Sequence, residues 1–143
     1  MYYIEKEMYK LYTDGGCRGN NNSNKVDTVC GGGAVIYDEH DKELFSKAER
    51  FHDLTTNNES EWKSLVIGLQ MCVDNNIPIS EVQLFADSNL VIQQYLGFWK
   101  IREPRLMAFY VQAKKFGKVF SAKHVPRAQN KRADQLSNIG MSM

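Results

Sequence analysis

Four acidic residues stand where the chain changes character, and as a group they could hold hard divalent cations. Asp14 closes a Tyr- and Leu-rich run in Tyr12-Thr13-Asp14-Gly15-Gly16. Glu61 follows Thr56-Asn57-Asn58-Glu59-Ser60 at the start of a helical pattern, and Asp87 lies in Phe85-Ala86-Asp87-Ser88-Asn89. Asp134 lies in Asn130-Lys131-Arg132-Ala133-Asp134, early in the last helical stretch. Clustered carboxylates repel one another and are costly unless something neutralises them. Mg²⁺ does this, taking carboxylate oxygens while keeping positions for water and phosphate oxygens. Two such ions about 3.5–4 Å apart can activate a water and stabilise the leaving oxygen of an in-line displacement. The chemistry within reach is phosphodiester hydrolysis.

Each carboxylate also has a simpler reading. Asp14-Gly15 could be a plain turn. Asn58 and Glu61 could form a capping box. Asp87 could be an N-cap. Asp134 could simply favour the positive end of a helix dipole. The elements decide between the readings, because a shared site requires that they converge.

Met8 to Thr13 reads as a strand ended by Asp14-Gly15-Gly16, and residues 20–25 as a polar Asn-rich loop. Gly31 to Tyr37 and Glu43 to Arg50 read as two more strands joined by a turn, an antiparallel meander. From Asn58 the period changes. Trp62, Leu65, Val66, Leu69 and Val73 share one helical face. Val82 to Ala86 is a short apolar strand, Ser88 to Leu96 and Pro104 to Phe116 are helical, Val119 to Val125 is a last strand, and Asn130 to Ile139 a last helix. The order β-β-β-α-β-α-α-β-α predicts a mixed five-stranded α/β sheet with right-handed helical crossovers. If the first and fourth strands are parallel neighbours, Asp14 and Asp87 emerge side by side. They would lie at the sheet edge where open α/β folds bind ligands.

The chain has 143 residues, 43% of them hydrophobic, enough for one domain spanning 1–143 with its own core. The first ten residues carry no apolar leader, and no run approaches the roughly 20 apolar residues that span a bilayer. A soluble cytoplasmic monomer with no membrane partner is the expectation. Cys17, Cys30 and Cys72 are odd in number and not at zinc spacing, which points to three reduced thiols. The net charge of +1 hides an asymmetry. Residues 1–98 hold 8 Lys/Arg against 15 Asp/Glu, a net of −7, and residues 99–132 hold 10 Lys/Arg against Glu103 alone, a net of +9. The basic segment is a candidate phosphate-binding face, or else a solvated helix surface.

Thr13-Asp14-Gly15, Thr56-Asn57-Asn58 with Glu61, Asp87-Ser88 and Ala133-Asp134-Gln135-Leu136 resemble, in this order, the motifs of the type 1 ribonuclease H family. The likeness runs from about Tyr9 to Ile139. It implies a ribonuclease H-like fold with strand order 3-2-1-4-5 and cleavage of the RNA strand of an RNA–DNA hybrid. It implies two Mg²⁺ ions, with Mn²⁺ as a substitute, held by Asp14, Glu61, Asp87 and Asp134. Water activated there would attack the scissile phosphate and leave 5′-phosphate and 3′-hydroxyl ends. By the same resemblance, Gly15, Gly16, Asn20, Thr56, Asn57, Asn58, Asn89 and Asn130 match substrate-contacting positions, and His124 matches a histidine that helps protons move. Many members carry an added basic helix and loop. Here only residues 97–103 separate two helices, so the chain resembles a compact variant. Trp99, Lys100, Arg102 and Arg105 would partly replace that feature, unless Trp99 is simply core. Trp62 reads as core packing.

Two other functions fit less well. A DNA-acting nuclease of the same superfamily would share the acidic cluster, but the Thr56-Asn57-Asn58 and Asn130-to-Asp134 motifs favour hybrid. A catalytically silent hybrid-binding module would be expected to lack a carboxylate, and none of the four is missing. Neutralising Lys100, Arg102 and Arg105 together should weaken hybrid binding. It should also lower the slope of log K against log[salt] by about 2–3, one for each phosphate left unneutralised. Binding titrations from about 50 to 300 mM salt check this, and an unchanged slope would place the segment away from the hybrid.

Overall fold

The computed structural model describes residues 7–19, 28–54 and 56–143. Its strands are β1 (Tyr9–Arg18), β2 (Val29–Tyr37), β3 (Glu43–Phe51), β4 (Val82–Ala86) and β5 (Ser121–His124). Its helices are α1 (Asn57–Asp74), α2 (Asn89–Leu96), α3 (Pro104–Lys115) and α4 (Lys131–Met141), with single 3-10 turns at Ile79–Glu81 and Arg127–Gln129. The five strands form one sheet in the order β3-β2-β1-β4-β5, as the motifs implied. β1 pairs antiparallel with β2 and parallel with β4, and β4 pairs parallel with β5.

Burial explains the strand compositions. The interior of β2 is buried from Cys30 to Ile36, because α1 packs on one face of the sheet and α4 on the other. β3 is one of the two edge strands, and its Glu43, Lys47 and Glu49 disfavour further pairing. The main core lies under α1, α2 and α3, where Leu11, Trp62, Leu65, Leu69, Leu84, Ile92 and Tyr95 are buried. Trp62 is core, as read from the sequence. Its Nε1 donates to Gln94 Oε1 at 2.9 Å, which avoids the roughly 1–3 kcal/mol cost of an unpaired buried donor. Val73, placed on the same helical face, is instead 44% exposed at the helix end. On the other face Ala133 and Leu136 of α4 cover Val35.

Two sequence readings need correction, and they are linked. β1 does not end at Asp14 but continues through Gly15 and Gly16 to Arg18, because β2 supplies partners along its whole length. Only the pairing with β4 stops there, with Thr13 opposite Ala86. The extended register sets Cys17 opposite Cys30, with Cα atoms 4.0 Å apart, and the two form a disulfide rather than remaining free thiols. A bridge closing a loop of this length contributes about 3 kcal/mol in the chain-entropy account. Cys72 is the remaining free thiol and is buried.

The helices approach the sheet at glycines. A Cβ on Gly15 would sit 2.2 Å from the Ser60 carbonyl oxygen, and one on Gly33 would sit 2.4 Å from Leu136 Cβ. Neither neighbour can retreat without moving a helix. Gly33→Ala should therefore destabilise the fold by about 1–3 kcal/mol, the range for overpacked sites. Urea unfolding checks this, and an unchanged midpoint would mean that α4 docks more loosely than its packing indicates.

Candidate active site

The capping roles open to Glu61 and Asp87 are taken by their neighbours. Thr56 caps α1, its Oγ1 accepting from Glu59 N at 3.2 Å and donating to Glu59 Oε1 at 2.9 Å. The capping pair is thus Thr56 with Glu59, not Asn58 with Glu61, and Glu61 is left free of capping. Ser88 caps α2 through the Val91 amide at 3.3 Å, which releases Asp87. Asp14 sits inside a strand rather than in a turn. Asp134 lies in the first turn of α4, its amide donating to the Asn130 carbonyl.

These choices converge on one point. Asp14, Glu61 and Asp87 offer oxygens that all lie within 4.8 Å of one another. They line a cleft of about 560 Å³ together with Gly15, Gly16, Asn57, Asn58, Ser88 and Asp134. Arg127 also lines it, and its Nη2 lies 3.5 Å from Asp134 Oδ1. Asp14 is 6% exposed and Glu61 9%. Glu61 Oε1 accepts from the Gly15 amide at 3.2 Å, while its Oε2 is buried with no hydrogen-bond partner among the described residues. An orphaned carboxylate oxygen facing two other carboxylates fits a hard cation, which needs oxygen donors and brings the missing charge.

Burial, the charge of Glu61 and a hydrogen bond to it raise the Asp14 carboxyl far above its ordinary value of 3.8. Burial and the nearby Asp87 also raise Glu61 above 4.5, opposed by the hydrogen bonds from Asp14 and Gly15. Both carboxyls are thus pushed toward the protonated form, and because they face each other they titrate as a pair.

The other expected residues divide. Asn57 Oδ1 accepts from the Cys17 amide at 2.8 Å, which ties the start of α1 to β1. Asn130 is 1% exposed, and its Nδ2 donates to the Thr13 carbonyl at 2.9 Å. It fixes the strand beside Asp14 and does not line the cleft. Asn89 is engaged with Gln93. His124 is exposed at the end of β5, opposite Ala86 and apart from the cleft lining. Asn20 lies outside the described residues. Trp99 is 47% exposed, and Lys100 and Arg102 near it are exposed. Arg105 Nη1 reaches back to the buried Glu59 Oε2 at 2.9 Å. Sequence reasoning missed Arg127 and Cys17. The end of the basic segment just before α4 was the signal for Arg127. No signal marked Cys17 once β1 had been ended at Asp14.

A family profile described as reverse transcriptase-like matches residues 16–140. Ribonuclease H of Campylobacter concisus is 30% identical over 145 residues, covering 92% of this chain and 90% of that protein. The chain belongs to the type 1 ribonuclease H family. Among solved structures, LC11-RNase H1 in complex with an RNA/DNA hybrid is similar, with a TM-score of 0.81 and 28% identity. The match covers 94% of this chain and 96% of that one. The bifunctional protein Rv2228c of Mycobacterium tuberculosis is 34% identical over 134 residues. The chain spans only about a third of that relative's length, 35%. Only the seven residues 97–103 separate α2 from α3.

The sign of the pH dependence follows from the raised carboxyls. The unfolded chain releases these protons near 3.8 and 4.5, whereas the folded protein keeps them to higher pH. Their contribution to stability is full below the ordinary values and lost as pH rises, by up to about 1.4 kcal/mol per pH unit per group. In EDTA, calorimetric Tm should fall from about pH 5 to pH 8 more steeply in the native protein than in Asp14→Asn. Added Mg²⁺ should raise Tm more at the upper end of that range than at the lower. Parallel curves for the two proteins would show that Asp14 is ionised throughout.

Proposed function

We propose that the chain is a metal-dependent endonuclease that hydrolyses the RNA strand of RNA–DNA hybrids. The observation that carries this reading is the convergence of Asp14, Glu61 and Asp87, with Glu61 Oε2 orphaned, at the end of the β1–β4 pairing. Burial raises the carboxyls of Asp14 and Glu61, and a bound cation would favour their ionised forms. Asp14, Glu61, Asp87 and Asp134 would hold two Mg²⁺ ions, or Mn²⁺ in their place. When bound, the ions supply a hydroxide-like nucleophile and charge stabilisation at the leaving oxygen.

The chain's own groups do the rest. Gly16 brings backbone without side chain to the cleft, which leaves room for the 2′-hydroxyls that mark RNA, while Gly15 lines the cleft and lets α1 close on the strand. Asn57 keeps its amide NH₂ for the hybrid, because its oxygen is spent on Cys17. Arg127 balances the negative charge at Asp134. Trp99, Lys100 and Arg102, with Arg105, would meet the backbone of the other strand. His124 would serve proton movement only if substrate draws the end of β5 toward the cleft. Cleavage would leave 5′-phosphate and 3′-hydroxyl ends. We read residues 1–143 as one ribonuclease H domain acting as a cytoplasmic monomer. No helix among the described residues is long and apolar enough to cross a membrane.

The test is a gel assay on matched RNA–DNA, DNA–DNA, RNA–RNA and single-stranded RNA substrates, each with Mg²⁺, Mn²⁺ or EDTA. Cutting of RNA only in the hybrid, and only with metal, is expected. Asp14→Asn should drop below about 1% of native cleavage and still bind hybrid, because a ligand is removed but little bulk. Cutting of DNA would favour a different nuclease of the superfamily. Binding without cutting would favour a silent module, and full activity in Asp14→Asn would remove the metal site.

A further inference from the structure

Cys17 and Cys30 join β1 to β2 beside the cleft, and the two sulfurs sit in different surroundings. Cys17 lines the cleft, with its Sγ 3.2 Å from Ser60 Oγ and its amide 2.8 Å from Asn57 Oδ1. Cys30 is fully buried opposite Phe51, with its Sγ 3.1 Å from the Leu54 carbonyl oxygen. One sulfur is reachable from solvent and the other is sealed. Disulfides in reducing compartments are usually transient and catalytic or redox-sensing, not permanent staples.

We propose that Cys17–Cys30 is a reversible redox site whose oxidised state tightens the cleft's hold on RNA–DNA hybrid. This rests on the hybrid-nuclease reading above. Two unbonded thiols need more room than a bonded pair. Cys30 has none, being walled by Phe51 and Leu54, and Ser60 Oγ already touches Cys17 Sγ, so Cys17 is the residue that moves, into the cleft. Its amide holds Asn57, and Asn57 opens the helix that carries Glu61. Opening the bond therefore loosens the Asn57 end of the site and leaves Asp14 anchored by its own strand pairing. Binding should suffer more than the chemical step.

The exchange balances with a thiol reductant. Its thiolate attacks Cys17 Sγ, forming a mixed disulfide, and the Cys17–Cys30 bond breaks with Cys30 leaving as thiolate and taking a proton. A second thiol then attacks the mixed disulfide, releasing the Cys17 thiol and an oxidised disulfide of the reductant. Oxidation runs the same steps backward with a small-molecule disulfide. Cys72 stays out of this chemistry, since burial pushes its thiol up to about 12 and keeps it in the core.

The test uses the full chain, reduced with dithiothreitol or oxidised with its cyclic disulfide. Thiols are counted after denaturation, and initial rates are measured against hybrid concentration in saturating Mg²⁺. On reduction KM should rise at least about 3-fold, kcat should change by less than about 2-fold, and reoxidation should restore both. The Cys17→Ser/Cys30→Ser double variant should show the reduced KM whatever the redox state. Equal KM in the two forms, or a response that survives in the double variant, would overturn the switch alone. A reduced chain that loses its near-UV circular dichroism would also overturn it, making the bond a staple of the fold. Cleavage by neither form would overturn the nuclease reading on which the switch rests.

Discussion

The site exists because two carboxylates are buried against each other with too few donors to satisfy them. Asp14 and Glu61 lie within reach of one another and of Asp87, in a place that water barely enters. Such an arrangement is unfavourable in isolation. The surrounding structure holds it in place by over-determining every backbone position around it. Asn130 grips the Thr13 carbonyl, the Gly15 amide reaches Glu61, and the Ser60 carbonyl leaves no space for a side chain at residue 15. Capping duties at α1 and α2 fall to Thr56, Glu59 and Ser88, so that Glu61 and Asp87 remain unspent.

The charge pattern gains meaning once it is placed on this frame. The acidic excess of the first 98 residues includes three of the four cleft carboxylates, and a nucleic acid would be repelled by them. The basic segment places exposed cations after α2 and brings Arg127 to the cleft wall. On the proposed reading, cation binding in the cleft and phosphate binding around it would be two halves of one electrostatic balance, because the carboxylates need positive charge before a phosphate can approach them.

Much of this was legible in the sequence, and the failures share a cause. Hydrophobic patterning served best where burial is strong, as in β2, β4 and α1. The motif order placed the carboxylates. The sequence could not show that β1 has two partners of different length. Asp14-Gly15-Gly16 reads as a terminator, and for the β4 side it is one, but β2 carries the strand on to Arg18. That single misreading also hid the disulfide, since Cys17 and Cys30 face each other only in the extended register. The resemblance set Asn130 at a substrate-contacting position, whereas in the fold a tertiary bond 117 residues away in sequence draws it inside.

The seven-residue link between α2 and α3 has a consequence for how such a chain can change. An appended gripping element can be lengthened, traded or lost without touching the chemistry, because it forms a module of its own. Here the cations flanking the link sit next to helices that also build the core. Arg105 lies on α3, which packs on α1 through Tyr110 against Trp62, and its guanidinium is tied to the same Glu59 that helps cap α1. On the proposed reading, a change at Arg105 alters hybrid affinity and the start of α1 together, whereas the exposed Lys100 and Arg102 can change without touching the core.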